Sequence, residues 1–368
     1  MKHALLIVFS YSRDSDGNSL VTPIQGSLND LIMMVDFCEK KCIPFENITI
    51  ITDIFLLPVE TERMNVKIVE MPSCSIVCQH IVSFVENTIQ FFSQTKIPYG
   101  SNPEIFLYFS CHGSELIVEN PESHSEQGIV LFNDECTTLR YLTTEDIFNI
   151  LFGRIPISQS GSMRIPIYSK LTYTEKENYG DLILYSEKTD VCLEHVSLSL
   201  TTPKRTPSFG FANYRTSYML SRGIPSLSHV LIIGDMCHSG NITHFPFVYC
   251  PKKENFIESP HFNRYVDHFD TPYCVCISSC SIKTKTRSIH SGSHLTKTFY
   301  DQFKNSSLNL NCRQIYYYLT EFSTKNLINS LSLGKLSPVI TSTRESANFK
   351  IPFFGSENLK PPRKIIKS

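Results

Sequence analysis

The stretch Val230-Leu231-Ile232-Ile233-Gly234-Asp235-Met236-Cys237-His238-Ser239-Gly240 decides how the rest of the chain is read. Four apolar residues, three of them β-branched, run without a polar interruption into a glycine. This is the pattern of a short strand covered on both faces of a parallel sheet. Open α/β sheets hold their ligands at the carboxyl ends of strands, so Cys237 emerges at a place suited to chemistry. A second apolar run, Ile105-Phe106-Leu107-Tyr108-Phe109-Ser110-Cys111-His112-Gly113, ends in an imidazole. If the two runs are neighbouring strands of one parallel sheet, Cys237 and His112 meet at its edge as a thiol and its base.

Together the two segments resemble the caspase-like cysteine peptidases and, among them, the metacaspases. That family closes its third core strand with Ser-Gly-His-Gly and its fourth with Asp-Cys/Ser-Cys-His-Ser-Gly. Ser110-Cys111-His112-Gly113 and Asp235-Met236-Cys237-His238-Ser239-Gly240 stand in those places, in that order. The resemblance covers residues 1–152 and 227–354 and implies an α/β fold. Its form is a caspase-like three-layer sandwich, with a mostly parallel central sheet of six strands or more and helices on both faces. The six expected strands start at Ala4, Ile48, Ile105, Val230, Tyr273 and Ser337. Helices are expected over Val77–Phe92, Leu142–Phe152, Leu295–Phe303 and Cys312–Thr324.

The resemblance also implies site roles. Cys237 is the nucleophile, His112 the general base and later acid, and the backbone N–H groups of Gly113 and Cys237 form the oxyanion hole. Downstream of Pro23, Leu31, Met34, Val35 and Cys38 fall on one face of a helix. The family opens this helix with Gly-Cys-Ile-Asn-Asp, and Asp30 matches the acid that lines its primary specificity pocket. Asp235 stands two before the nucleophile, where true caspases carry a neutral Gln. Ser110 and Ser278 complete the implied substrate-binding set. Two carboxylates in a partly dry pocket favour Arg or Lys at the cleaved position, because a buried cation requires a partner. Without the resemblance, Asp30 reads as a first-turn acid stabilised by the helix dipole, and a lone histidine after a strand as structural.

In many metacaspases a pair of acids at the later helix cap and another acid seven residues past the nucleophile bind calcium. Here Thr143, Thr144 and His244 stand at those positions. They supply neither the charge nor the hard oxygen set that calcium takes, so no cofactor or metal is expected. The family's acid-rich substrate loop is replaced by Ser281-Ile282-Lys283-Thr284-Lys285-Thr286-Arg287-Ser288.

Composition bounds the rest. The 368 residues are 41% hydrophobic and 19% charged, enough to bury a sizeable core. A formal net charge of −1 gives no case for nucleic acid or an anionic membrane as a bulk partner. Thirteen cysteines without a repeated spacing fit a reducing compartment better than a disulfide framework. No apolar run reaches the roughly 18 residues of a membrane span. The expectation is a cytoplasmic monomer acting on polypeptides with a basic residue at the cleaved bond. Residues 1–357 form one peptidase domain in which 154–226 is an inserted subdomain or flap, and 358–368 a disordered basic tail. Within the insert, Lys170, Lys176, Lys188, Lys204 and Arg205 are candidate self-cleavage sites.

Two rival readings remain. One is a catalytically degenerate caspase-like scaffold with a binding or regulatory role. The other is a zinc site using Cys274, Cys276 and Cys280, or His238, His244 and Cys250. Against zinc, alternate residues on a strand share one packed face, whereas structural zinc sites favour cysteine pairs in tight loops.

Overall fold

A computed structural model describes residues 1–12, 21–55, 64–95, 102–116, 126–133, 137, 139–152, 171–176, 181–186, 223–225, 227–237, 239–241, 243, 245–259, 272–279, 288–289, 292–306, 310–327, 338–345, 351 and 353. The first half contributes β1 (Lys2–Val8), α1 (Ser27–Lys40), β2 (Ile48–Thr52), β3 (Asn65–Ile68), α2 (Cys74–Gln94), β4 (Glu104–Ser110), β5 (Gly113–Leu116), β6 (Glu126–Phe132), β7 (Leu139–Thr143) and α3 (Thr144–Phe152). The second half contributes β8 (Leu171–Lys176), β9 (Asp181–Ser186), β10 (His229–Asp235), β11 (Phe247–Cys250), β12 (Asn255–Glu258), β13 (Tyr273–Ser278), β14 (Ser288–Ile289), β15 (Gly292–Ser293), α4 (His294–Phe303), α5 (Cys312–Leu327) and β16 (Val339–Ser342).

Nine strands form one sheet in the order β12-β11-β16-β13-β10-β4-β1-β2-β3. The stretch from β13 to β3 is parallel throughout, and β16, β11 and β12 join antiparallel. The mostly parallel α/β sandwich implied by the sequence is present, with three strands beyond the six counted there. The additional strands, β3, β11 and β12, are each four residues long. Asn65-Val66-Lys67-Ile68 is an edge strand that is half-buried at best, and the loop expected after Cys237 contains the β11–β12 hairpin between Pro246 and Ser259. Four residues are too few to establish a period, and pairing with the finished sheet supplies the rest.

Alternation along the strands divides the core into two layers. Leu5, Ile7 and Phe9 of the β1 run, with Ile105, Leu107 and Phe109 of the β4 run, face α2 and α3, where Val77, Ile81, Val85, Ile147 and Leu151 pack. Ala4, Leu6 and Val8, with Phe106 and Tyr108, face α1, α4 and α5, where Leu31, Met34, Phe37, Phe299 and Ile315 pack. Because β1, β4 and β10 are buried on both faces, their sequences are apolar runs rather than alternating ones. Smaller sheets β5-β6-β7, β8-β9 and β14-β15 complete the architecture. The hairpin β8-β9 lies in the segment read as an insert, whose strand expected over Val196–Leu200 is outside the described residues. So are Lys170, Lys188, Lys204, Arg205 and the tail. No helix among the described residues is long and apolar enough to cross a membrane.

Candidate active site

β4 and β10 are direct neighbours, and their parallel register pairs Asp235 with Ser110. His112 and Cys237 each follow two residues later, so they leave the sheet at the same edge from adjacent strands. Both are half-buried. Between the pairs, Cys111 Sγ contacts Met236 Sδ at 3.8 Å on the α2 side. Gly113 then passes so close to the nucleophile turn that a Cβ there would overlap the Cys237 carbonyl oxygen. A side chain of any size is excluded at this position.

The nucleophile turn is held from β13. Ser279 donates its amide to Gly234 O at 3.0 Å and its hydroxyl to Met236 O at 3.1 Å. Ser278 Oγ donates to Ser239 O at 2.8 Å. Ser278 is buried, and its hydroxyl is directed into the turn.

His112 is oriented by groups the sequence did not reveal. Its Nε2–H donates to the Thr22 carbonyl at 2.6 Å, which leaves Nδ1 as the acceptor nitrogen. Burial lowers its pKa, opposed by the bond to Thr22, so the imidazole is neutral at physiological pH and able to accept a proton. The Tyr11 ring lies 4.9 Å from the imidazole, centroid to centroid. Tyr11 Oη accepts from the His112 amide at 3.2 Å and donates to Val130 O at 2.7 Å, while Val130 N–H donates to His112 O at 2.9 Å. The tyrosine hydroxyl thus takes the place of one rung of the β5–β6 ladder. In this register Gly113 opposes Ile129 as a non-hydrogen-bonded pair, so its N–H points away from β6.

The acids form a second cluster on the α1 side of the same edge. Asp30 and Asp235 are 0% and 3% exposed. Asp30 accepts from Ser110 Oγ at 3.2 Å and from the Ser293 amide at 2.8 Å. Asp235 accepts from the Ser293 hydroxyl and from the Thr296 amide and hydroxyl, at 2.9 and 2.5 Å for the latter two. It therefore sits on the N-terminus of α4, where backbone donors and the helix dipole favour negative charge. Burial, and next the charge of Asp235, raise the Asp30 carboxyl to about 8. Gly292, at φ 108, is required for this closeness, because a Cβ there would lie 2.6 Å from Asp30 Oδ1.

Asp30 lies in the first turn of α1, as the sequence pattern implies, and its side chain is also held by donors from β4 and β15. Ser293, Thr296 and Gly292 were not recognised as site residues, because they follow a loop whose sequence gives no sign of folding back onto α1. The basic stretch carrying Lys283, Lys285 and Arg287 is outside the described residues, as are Cys280, His238 and His244.

Of the positions that the resemblance compares with a calcium site, Thr143 and Thr144 are described and His244 is not. Thr143 caps α3: its hydroxyl accepts from the Asp146 amide at 3.1 Å and donates to the Asp146 carboxylate at 2.9 Å. Thr143 and Thr144 are each 1% exposed. Cys274 and Cys276 both face the α2 layer of the core, and burial raises their thiols, that of Cys276 to about 11.

No protein-family model matches this chain, and no curated protein matches it. Among solved structures, it is similar to protein GSU0716 from Geobacter sulfurreducens, with a TM-score of 0.48 and 11% identity over 97% of this chain and 99% of that one. It is also similar to caspase-1 from Spodoptera frugiperda, with a TM-score of 0.41 and 10% identity over 96% of this chain and 90% of that one.

Proposed function

We propose that the chain is a cysteine endopeptidase of metacaspase type that cuts after Arg or Lys without requiring calcium. The observation that carries this reading is the parallel register of β4 and β10, which delivers His112 and Cys237 to one sheet edge beside a closed pair of acids. His112 Nδ1 accepts the Cys237 proton, and the thiolate attacks the scissile carbonyl carbon. The Gly113 N–H, directed away from β6 and lying against the nucleophile turn, donates to the developing oxyanion together with the Cys237 amide. The imidazolium then returns its proton to the departing amine, and water hydrolyses the thioester with His112 again as base. Support for a basic residue at the cleaved bond is the acid pair itself, two buried carboxylates that place negative charge at this edge of the sheet.

The test is hydrolysis of Arg and Asp fluorogenic peptides by the wild type and by Cys237→Ala, each in calcium and in chelator. Cleavage of the Arg peptide, lost with Cys237 and indifferent to calcium, is expected. Cleavage after Asp defeats the specificity reading, and no cleavage at all points to the degenerate scaffold.

A further inference from the structure

Tyr11 follows β1 and has no direct part in the chemistry described, yet it touches the base in two ways. Its backbone is left-handed, φ 52, a conformation a β-substituted residue adopts only when its surroundings enforce it. The enforcing group is Asp53, at the end of the β2 run. Its two carboxylate oxygens accept the successive amides of Ser10 and Tyr11, each at 2.6 Å. Phe9 N–H to Ser110 O, at 2.9 Å, continues the β1–β4 ladder up to this point, so the kink falls where the base leaves its strand. The side chain is turned inward, 3% exposed, with its hydroxyl between the His112 amide and the Val130 carbonyl and its ring against the imidazole. Burial first, and the neighbouring Cys111 next, raise its pKa well above 10, so the phenol remains a donor throughout the physiological range.

We propose that Tyr11, held in its left-handed conformation by the Asp53 carboxylate, is a positioning residue that sets both the His112 imidazole and the Gly113 amide for reaction at Cys237. A direct bond between His112 N–H and Val130 O would turn the His112–Gly113 backbone towards β6 about the existing Val130 N–H to His112 O bond. That movement carries the imidazole and the adjacent Gly113 N–H away from the nucleophile turn. The spacer fixes both at once. This proposal rests on the peptidase reading, and its test separates the two.

Tyr11→Phe keeps the ring and deletes the hydroxyl. In the full chain with an Arg fluorogenic peptide, kcat is expected to fall by about tenfold or more with KM within about twofold, because positioning acts on the transition state and not on the acid pair. Iodoacetamide, which needs the thiolate but no oxyanion hole or specificity pocket, should alkylate Cys237 more slowly in the same variant. If Tyr11→Phe does not fold, Asp53→Asn gives the same readings, since the amide replaces one acceptor oxygen with a donor. Wild-type kcat and wild-type alkylation in a folded variant overturn the proposal. A wild type that cuts no peptide, but whose Cys237 alkylation depends on His112, ends the peptidase reading instead, and alkylation in Tyr11→Phe then decides whether Tyr11 positions the base.

Discussion

Asp30 and Asp235 come from α1 and the end of β10, and a single residue, Ser293, donates to both, its amide to Asp30 and its hydroxyl to Asp235. Asp235 accepts from the first turn of α4, whereas Asp30 is buried against the charge of Asp235. Burial and the facing charge of Asp235 hold the Asp30 carboxyl well above the usual carboxylate range, so the pair binds a proton more tightly than two free carboxylates do. An unfolded chain releases that proton near 4, but the folded one keeps it until about 8. Between these values the folded state binds more protons, so Asp30 makes stability fall as pH rises. Asp30→Asn keeps an oxygen for the Ser293 amide and removes the titration. In urea unfolding its advantage over wild type should grow from pH 4 to pH 8, by at most about 1.4 kcal/mol per pH unit. A difference that is flat with pH would refute the assignment of the proton.

The same proton bears on specificity. A guanidinium or ammonium entering beside the pair is paired fully only when Asp30 is ionised, so binding releases a proton below about pH 8. KM for an Arg peptide should therefore fall as pH rises towards 8, by at most about tenfold per unit, and level off above it. In Asp30→Asn the KM should be higher and lose this slope. A wild-type KM independent of pH over that range would exclude Asp30 from substrate binding.

Gly113→Ala tests the packing of the oxyanion donor. The added methyl would occupy the position of the Cys237 carbonyl oxygen, and both partners are backbone, so neither yields by a rotamer change. Separating them moves the Gly113 N–H and the nucleophile apart. Activity should drop by about 100-fold or more, as for misplacement of about 1 Å. Activity near that of wild type in Gly113→Ala would show that the approach is not needed for catalysis.

The sequence made β4 and β10 legible because strands buried on both faces need an unbroken apolar run, and it placed Cys237 and His112 because both stand directly beyond such runs. Asp30 was found through motif spacing, while its burial and its protonation depend on Ser293 and Gly292, some 260 residues away and beyond a loop without pattern. Tyr11 illustrates a different limit. Two residues past the β1 run it opens a Ser-, Asp- and Gly-rich stretch that reads as a loop, and its bridging role exists only once β5 and β6 have paired about 100 residues downstream. Ser278 shows the converse: its position beside the site was legible, but the direction of its hydroxyl is set by the Ser239 carbonyl to which it donates.

His3 lies at the opposite end of β1 from this edge and contributes to the loss of stability in acid. Its ring is 7% exposed, edge-on to Phe91 and Phe92 at 4.7 and 5.1 Å, and its Nε2 has no hydrogen-bond partner among the described residues. Burial, and next the amino terminus, lower its pKa from 6.5 to about 4. The unfolded chain takes up this proton below 6.5 and the folded chain does not until about 4. Stability from His3 is therefore complete above 6.5 and is lost as pH falls through that window, by up to about 3 kcal/mol. His3→Leu preserves an apolar contact with both phenylalanines, removes an unsatisfied nitrogen and abolishes the titration. In urea unfolding at pH 7 and pH 5, the variant should lose less stability on acidification than wild type. An equal loss in both would mean that His3 is protonated without opening the β1–α2 packing.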